Sequence, residues 1–389
     1  MIKKIGIFFS SLIISLFITN VFFSIFKIEE KLTPFAFPDS FKVAKNTRLF
    51  FADKKRIFKL ADNPENNNVF PSNTNRQTWN IDKMGFRPDY KPNDKLDENS
   101  YVILMIGDSF TYCGEVPHSD SYPAILEKKL LENFPNINVI NAGVPGYGPD
   151  QQLIYLRELL LKINPNLVVW NIYENDITDT NYYCLFQNDN EKLREIQAWK
   201  NNVYRQGIIV DTLPWLIARQ PITKIATHFI GKPFGGNTAL PISTIGCTEP
   251  ITNEYLKKLG EKVNIILQTA KEETISTGVK IEFILMPNQQ SFIKQEENIE
   301  ELIKIEIIKQ LAIFKNTPLL DLTKEFKKYE LDENINIYND FYLSEKEEPD
   351  VFSRHLNSKG NTLAAEKVQE YLVNKYYFTK NNANLCSMP

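Results

Sequence analysis

An apolar run from Val102 to Ile106 stops abruptly at Gly107-Asp108-Ser109. A short apolar stretch closed by turn-forming residues reads as a buried strand, so Ser109 falls where a strand ends and a helical turn begins. Open parallel sheets bind ligands beyond the carboxyl ends of their strands, and a helix N-terminus there offers N–H groups to negative charge. Taken alone, Gly-Asp-Ser is an ordinary strand-to-helix turn. Its meaning depends on the rest of the chain.

From that point the pattern alternates. Strands are expected over Tyr101 to Ile106, Asn138 to Ile140, Leu167 to Tyr173, Lys280 to Met286 and Pro318 to Leu322. Helices are expected near Ser121 to Phe134, Asp150 to Ile163, Asn253 to Thr277, Ile299 to Phe314 and Asn361 to Asn374. Ile125, Leu126, Leu130 and Phe134 share one helical face, and the helix ending at Ile163 stops before Asn164-Pro165 because pre-proline residues avoid helical geometry. Strands separated by helices form βαβ units with right-handed crossovers, which gives an α/β chain with a three-layer, flavodoxin-like parallel sheet.

Two segments depart from this rhythm. Lys3-Lys4 precede an uncharged, mostly apolar run from Ile5 to Phe26, which at about 1.5 Å per residue reaches across a bilayer. With no small-residue cleavage site after it, residues 1–30 read as an uncleaved transmembrane signal anchor, a removed signal peptide being the alternative, and the preceding lysines favour an exported, extracytoplasmic remainder. Residues 31–98 read as a membrane-proximal lead-in that packs on the main domain, 99–378, followed by a tail, 379–389. The insertion 178–250 carries Trp199, Trp215 and helical patterns near Glu191 to Arg205 and Pro214 to Ile230. It reads as a lid over the strand ends or as a structural flap. A net charge of −3 over 389 residues, with both signs interspersed, gives no footprint for nucleic acid. The four cysteines, Cys113, Cys184, Cys247 and Cys386, lack metal-ligand spacing, and no metal or organic cofactor is expected. A Cys184–Cys247 disulfide suits an exported chain; four unpaired thiols are the alternative.

Four short motifs fall at equivalent places: Gly107-Asp108-Ser109-Phe110, Asn141-Ala142-Gly143, Glu174-Asn175-Asp176, and His355-Leu356-Asn357-Ser358-Lys359-Gly360. The set resembles the SGNH (GDSL-like) hydrolase superfamily over about residues 100 to 375, and Gly85-Phe86-Arg87 resembles the lead-in of its exported members. The resemblance implies the SGNH fold and serine-ester chemistry. Ser109 would be the nucleophile and His355 its base, with the Ser109 N–H, the Gly143 N–H and the Asn175 amide forming an oxyanion hole. His118 and His228 read as solvated or packing residues, and Asp108 and Asp176 as structural. The superfamily places an orienting acid three residues before the histidine, where this chain has Phe352; Asp350, five before, is taken as that acid, with a carbonyl or another carboxylate as the alternative. Tyr173 stands where the superfamily commonly has glycine. The function implied is hydrolysis of a small acyl ester, an O-acetyl group on an envelope or secreted carbohydrate. Transfer of the acyl group to a sugar hydroxyl, and a non-catalytic polysaccharide-binding role, remain alternatives.

Overall fold

The structure, a computed structural model, describes residue 15 and residues 50–53, 55–60, 86–87, 100–182, 185–189, 192–195, 252–293, 299–344 and 355–376. The expected anchor other than Ser15, the body of the insertion, Cys184, Cys247, Cys386, His228 and Asp350 lie outside them. Among the described residues no helix is long and apolar enough to cross a membrane.

A two-stranded antiparallel hairpin, β1 (Phe50–Asp53) and β2 (Ile57–Leu60), comes first. Its Arg56 carbonyl accepts from Gln151 Nε2 at 2.7 Å, and Arg56 pairs with Glu158 at 3.4 Å. The main domain then runs β3 (Tyr101–Gly107), α1 (Ser109–Tyr112), α2 (Tyr122–Leu131), β4 (Ile137–Gly143), α3 (Pro149–Ile163), β5 (Leu167–Ile172) and α4 (Asp176–Tyr182). It continues through a small hairpin, β6 (Phe186–Asp189) and β7 (Lys192–Glu195), then α5 (Asn253–Ser276), β8 (Lys280–Leu285), α6 (Ile299–Lys309) and β9 (Leu319–Asp321). Three helices close it: α7 (Leu322–Glu333), α8 (Ile337–Asp340) and α9 (Ser358–Lys375).

The central sheet is five-stranded, its pairings all parallel, in the order β4-β3-β5-β8-β9. Among these five strands that is the 2-1-3-4-5 arrangement of flavodoxin-like sheets, and its switch point lies between the first and third of them, β3 and β5. Alternate residues of each strand face opposite layers. Val102, Leu104 and Ile106 pack with Trp170 and Phe283 under α3, α5 and α6. Ile103 and Met105 pack with Val169 and Ile284 under α2, α7 and α9. Both faces are covered, as continuous apolar strands require.

Local chemistry sets several boundaries that differ from expectation. β4 continues through Asn141-Ala142-Gly143 instead of stopping before them, because Gly107 and Gly143 stay in register at the end of the ladder. α9 starts at Ser358, since the Asn357 side chain accepts from the N–H groups of Lys359 and Gly360. Lys192–Glu195, expected to be helical, is instead a strand, paired antiparallel with Phe186–Asp189. α6 gives way after Lys309 to a 3₁₀ turn at Ala312–Lys315. α7 is capped by Asp321, whose carboxylate accepts from Thr323 N–H at 3.0 Å.

α1 sits so close to β4 that a Cβ on Gly143 would lie 2.4 Å from the Tyr112 nitrogen and 2.8 Å from the Thr111 carbonyl carbon. Backbone cannot yield as a flexible side chain can. Gly143→Ala is therefore expected to destabilise the fold by about 1–3 kcal/mol, read as a melting temperature several degrees lower in thermal unfolding. An unchanged melting temperature would contradict this packing.

Candidate active site

Ser109 opens a single helical turn at the end of the central strand β3. Asp108 caps it, accepting from Phe110 N–H at 2.9 Å, and Cys113 ends it in the left-handed region at φ 53°. The turn is pressed onto the sheet: Asn141 Nδ2 donates to Thr111 O at 2.8 Å. Ser109 is half-buried although its neighbours Asp108 and Phe110 are buried, so its hydroxyl marks a local opening.

His355 arrives from the other end of the chain. Its carbonyl accepts from Leu343 N–H at 3.0 Å, and the next residue, Leu356, bridges to Tyr342. Asn361, inside α9, ties this loop to the segment after Ser109. Its Oδ1 accepts from Tyr122 N–H at 3.1 Å and from the Cys113 thiol at 3.2 Å, while its Nδ2 donates to Leu356 O at 2.9 Å. Ser358 Oγ adds a bond to Asp120 Oδ2 at 2.7 Å. The result is that His355 Nε2 lies 2.9 Å from Ser109 Oγ. The imidazole centroid is 4.3 Å from that of Phe110, which also stacks on Tyr173 at 3.5 Å.

Asn175 completes the strand-end cluster from β5. Its Nδ2 donates to Asp108 Oδ2 at 3.0 Å, which fixes which end of the amide faces Ser109's strand and leaves a second N–H on the same nitrogen. The turn that carries Asn175 is closed by Asp176, which accepts from Tyr173 N–H at 2.9 Å and from Gln152 Nε2 at 3.1 Å.

Gly143 is not brought into this arrangement. Its N–H donates to Asn141 Oδ1 at 3.0 Å and its α-carbon abuts α1, so the glycine serves close packing and its donor is already engaged. Three residues on, Gly146 has φ 79° and is the half-exposed residue in a buried stretch between Ile140 and Leu156. Gly146 carried no sequence signal beyond a Pro-Gly turn. His118 lies in a half-buried 3₁₀ turn with its backbone carbonyl accepting from Ser121 Oγ at 2.7 Å.

Asp350 lies outside the described residues. Among the described residues, a carboxylate beside the imidazole is that of Glu115, whose Oε1 is 3.8 Å from His355 Nδ1. Nothing in its sequence position marked Glu115, which follows the left-handed turn at Cys113 and meets the imidazole at Nδ1.

Carboxyl groups crowd the strand ends. Burial raises Asp108 above the usual range even though Asn175, Phe110 N–H and the charge of His355 all pull it down. Burial also raises Asp176 and Asp179 well above theirs, with Asp108 adding to both. Glu174, next to Asn175, is pushed up to about 7 by burial despite the Lys304 ammonium at 3.4 Å, with Glu301 adding to the rise. Lys304 is held charged: burial would lower its pKa, but Glu174 and Glu300 raise it on balance. Burial pushes the Cys113 thiol up to about 12, leaving it a packing group. Among the described residues no cluster of His, Cys, Asp and Glu could hold a metal.

No protein-family profile matches the chain. A stretch of 77 residues is 32% identical to an arylesterase of Vibrio mimicus, covering 20% of this chain and 38% of that protein. The chain thus spans little more than a third of that relative's length. Among solved structures, an acetyl xylan esterase aligns over 70% of this chain and 99% of its own, at 16% identity and a TM-score of 0.38. A lipolytic protein of the G-D-S-L family from Veillonella parvula aligns over the same shares at 15% identity and a TM-score of 0.39.

The pKa of Glu174 carries a stability consequence. A carboxyl raised from 4.5 to about 7 binds more protons folded than unfolded across that window, so its contribution is complete at low pH and is lost as pH rises toward 7. Melting temperatures of the parent are expected to fall between pH 5 and 7.5, and Glu174→Gln is expected to flatten part of that fall. Parallel curves for the two proteins would contradict the assignment.

Proposed function

We propose that this chain is a serine esterase that cleaves a small acyl ester through an acyl-enzyme on Ser109. The observation that carries the proposal is the 2.9 Å approach of His355 Nε2 to Ser109 Oγ. A serine hydroxyl is a weak nucleophile at neutral pH, and an imidazole within hydrogen-bond reach takes its proton as the oxygen attacks. Attack on the ester carbonyl carbon moves an electron pair onto the carbonyl oxygen. Three N–H groups would meet that oxyanion: that of Ser109, the second amide hydrogen of Asn175, and that of Gly146 in its left-handed turn. His355 then returns its proton to the leaving alcohol. Water, deprotonated in turn by His355, releases the acid and restores Ser109.

The 77-residue likeness to a protein named as an arylesterase supports ester cleavage. We extend the proposal to an O-acetyl ester on an envelope or secreted carbohydrate. Its support is the apolar run from Ile5 to Phe26 behind Lys3-Lys4, which would hold the domain on the outer side of a membrane.

The full-length protein is expected to hydrolyse p-nitrophenyl acetate, and Ser109→Ala and His355→Ala are each expected to lower kcat/KM by about 10³-fold or more. Parent-level rates in the Ser109→Ala protein would contradict the proposal. Acetate release from acetylated oligosaccharides tests the substrate, and failure there with activity retained on the aryl ester would reject the carbohydrate.

A further inference from the structure

The base needs something to fix its tautomer and to face the charge it acquires. His355 Nε2 can accept the Ser109 proton only if the ring's hydrogen sits on Nδ1, and an acid at Nδ1 both selects that tautomer and stabilises the imidazolium. We propose that Glu115 is this positioning residue, so that the nucleophile and the group orienting its base come from one stretch of seven residues, Ser109 to Glu115. The proposal rests on the esterase reading above.

The geometry is specific. Glu115 Oε1 stands 3.8 Å from Nδ1, on the side of the ring away from Ser109, and the two side chains are 12% and 17% exposed. At that depth water screens the pair poorly. The gap is somewhat longer than a hydrogen bond, as catalytic contacts often are before substrate binds.

Glu115 does not hold this position by its own flexibility; the turn that carries it is clamped. The buried guanidinium of Arg87 donates to three carbonyls around it, Tyr112 O at 3.0 Å, Val116 O at 2.5 Å and Cys113 O. These groups cap the end of α1, and a cation is favoured at a helix C-terminus. Cys113, at φ 53°, reverses the chain so that the residue two positions on returns toward the strand ends. Asn361 then bolts Cys113 and Tyr122 to Leu356, the neighbour of His355. Arg87 and Asn361 thereby hold the two sides of the Glu115–His355 contact in fixed register.

Several groups among the described residues act on the imidazole. Glu115 faces Nδ1, Ser109 faces Nε2, and the Phe110 ring lies 4.3 Å away. The buried Asp108 carboxylate acts on it electrostatically from the end of β3. Asp108 accepts from Phe110 and Asn175, and among the described residues Glu115 places a carboxylate oxygen 3.8 Å from Nδ1.

The test is a titration that does not need turnover. Full-length protein labelled with ¹³Cε1-histidine carries three reporters, and His355→Gln identifies the relevant one. Glu115→Gln keeps the shape and removes the charge, and it is expected to lower the His355 midpoint by about one pH unit. The same variant is expected to lower kcat by about 10²-fold or more with little change in KM. Glu115→Asp, which keeps the charge on a shorter arm, is expected to recover part of both effects. An unshifted midpoint in Glu115→Gln together with parent-level kcat would overturn the proposal. A parent protein with no esterase activity would remove the function proposed above, while the titration would still judge Glu115 by itself.

Discussion

A single buried carboxylate couples the parts of this site. Asp108 caps the turn that begins at Ser109 and receives the amide of Asn175. One oxygen therefore sets the direction of the first N–H groups of α1, and the other sets which way the Asn175 nitrogen points. The Asn175 amide and the N–H of Ser109, the residue between Asp108 and Phe110, would meet the oxyanion in the proposed reaction. An acceptor in such surroundings forms charge-assisted bonds that are shorter and stronger than neutral ones. The cost is desolvation, visible in the raised pKa of Asp108.

The rest of the framework limits how far these groups can drift. β3 is flanked on both sides by parallel partners, so the end of the strand cannot slide without breaking its register to β4 and β5. Asn141 holds α1 on the sheet from β4, and Gln152 holds Asp176 from α3. His355, by contrast, sits on a loop, where position has to be supplied by neighbours. Asn361, Ser358 and the Tyr342–Leu356 bridge supply it. Rigid strand ends on one side and a bolted loop on the other bring a hydroxyl and an imidazole 246 positions apart into contact.

Much of this was legible in the sequence because it depended on local pattern. The run Val102 to Ile106 and its turn marked the central strand, and the alternation of strands and helices gave the layered sheet with its 2-1-3-4-5 order. Ser109, Asn175 and His355 stood out because small polar motifs at strand ends have few structural reasons to recur. What escaped depended on backbone geometry or on long-range contact. Gly143 looked like an exposed donor, but the strand carries on through it and Asn141 takes its N–H. The left-handed turn at Cys113, the carbonyl clamp of Arg87 and the return of Glu115 to the imidazole leave no periodic trace. β7 was read as helix because Lys192–Glu195 has residues at home in either state, and its pairing with Phe186–Asp189 decided the matter.

The central claim is that Ser109 is a nucleophile activated by His355, and reaction with a fluorophosphonate tests it most directly, since such a probe phosphonylates only a serine whose proton is taken by a base. The account requires one adduct per chain by intact mass, mapped by peptide digestion to Ser109 and lost in His355→Ala. A parent protein that stays unlabelled, or an adduct on another residue that persists without His355, would contradict it.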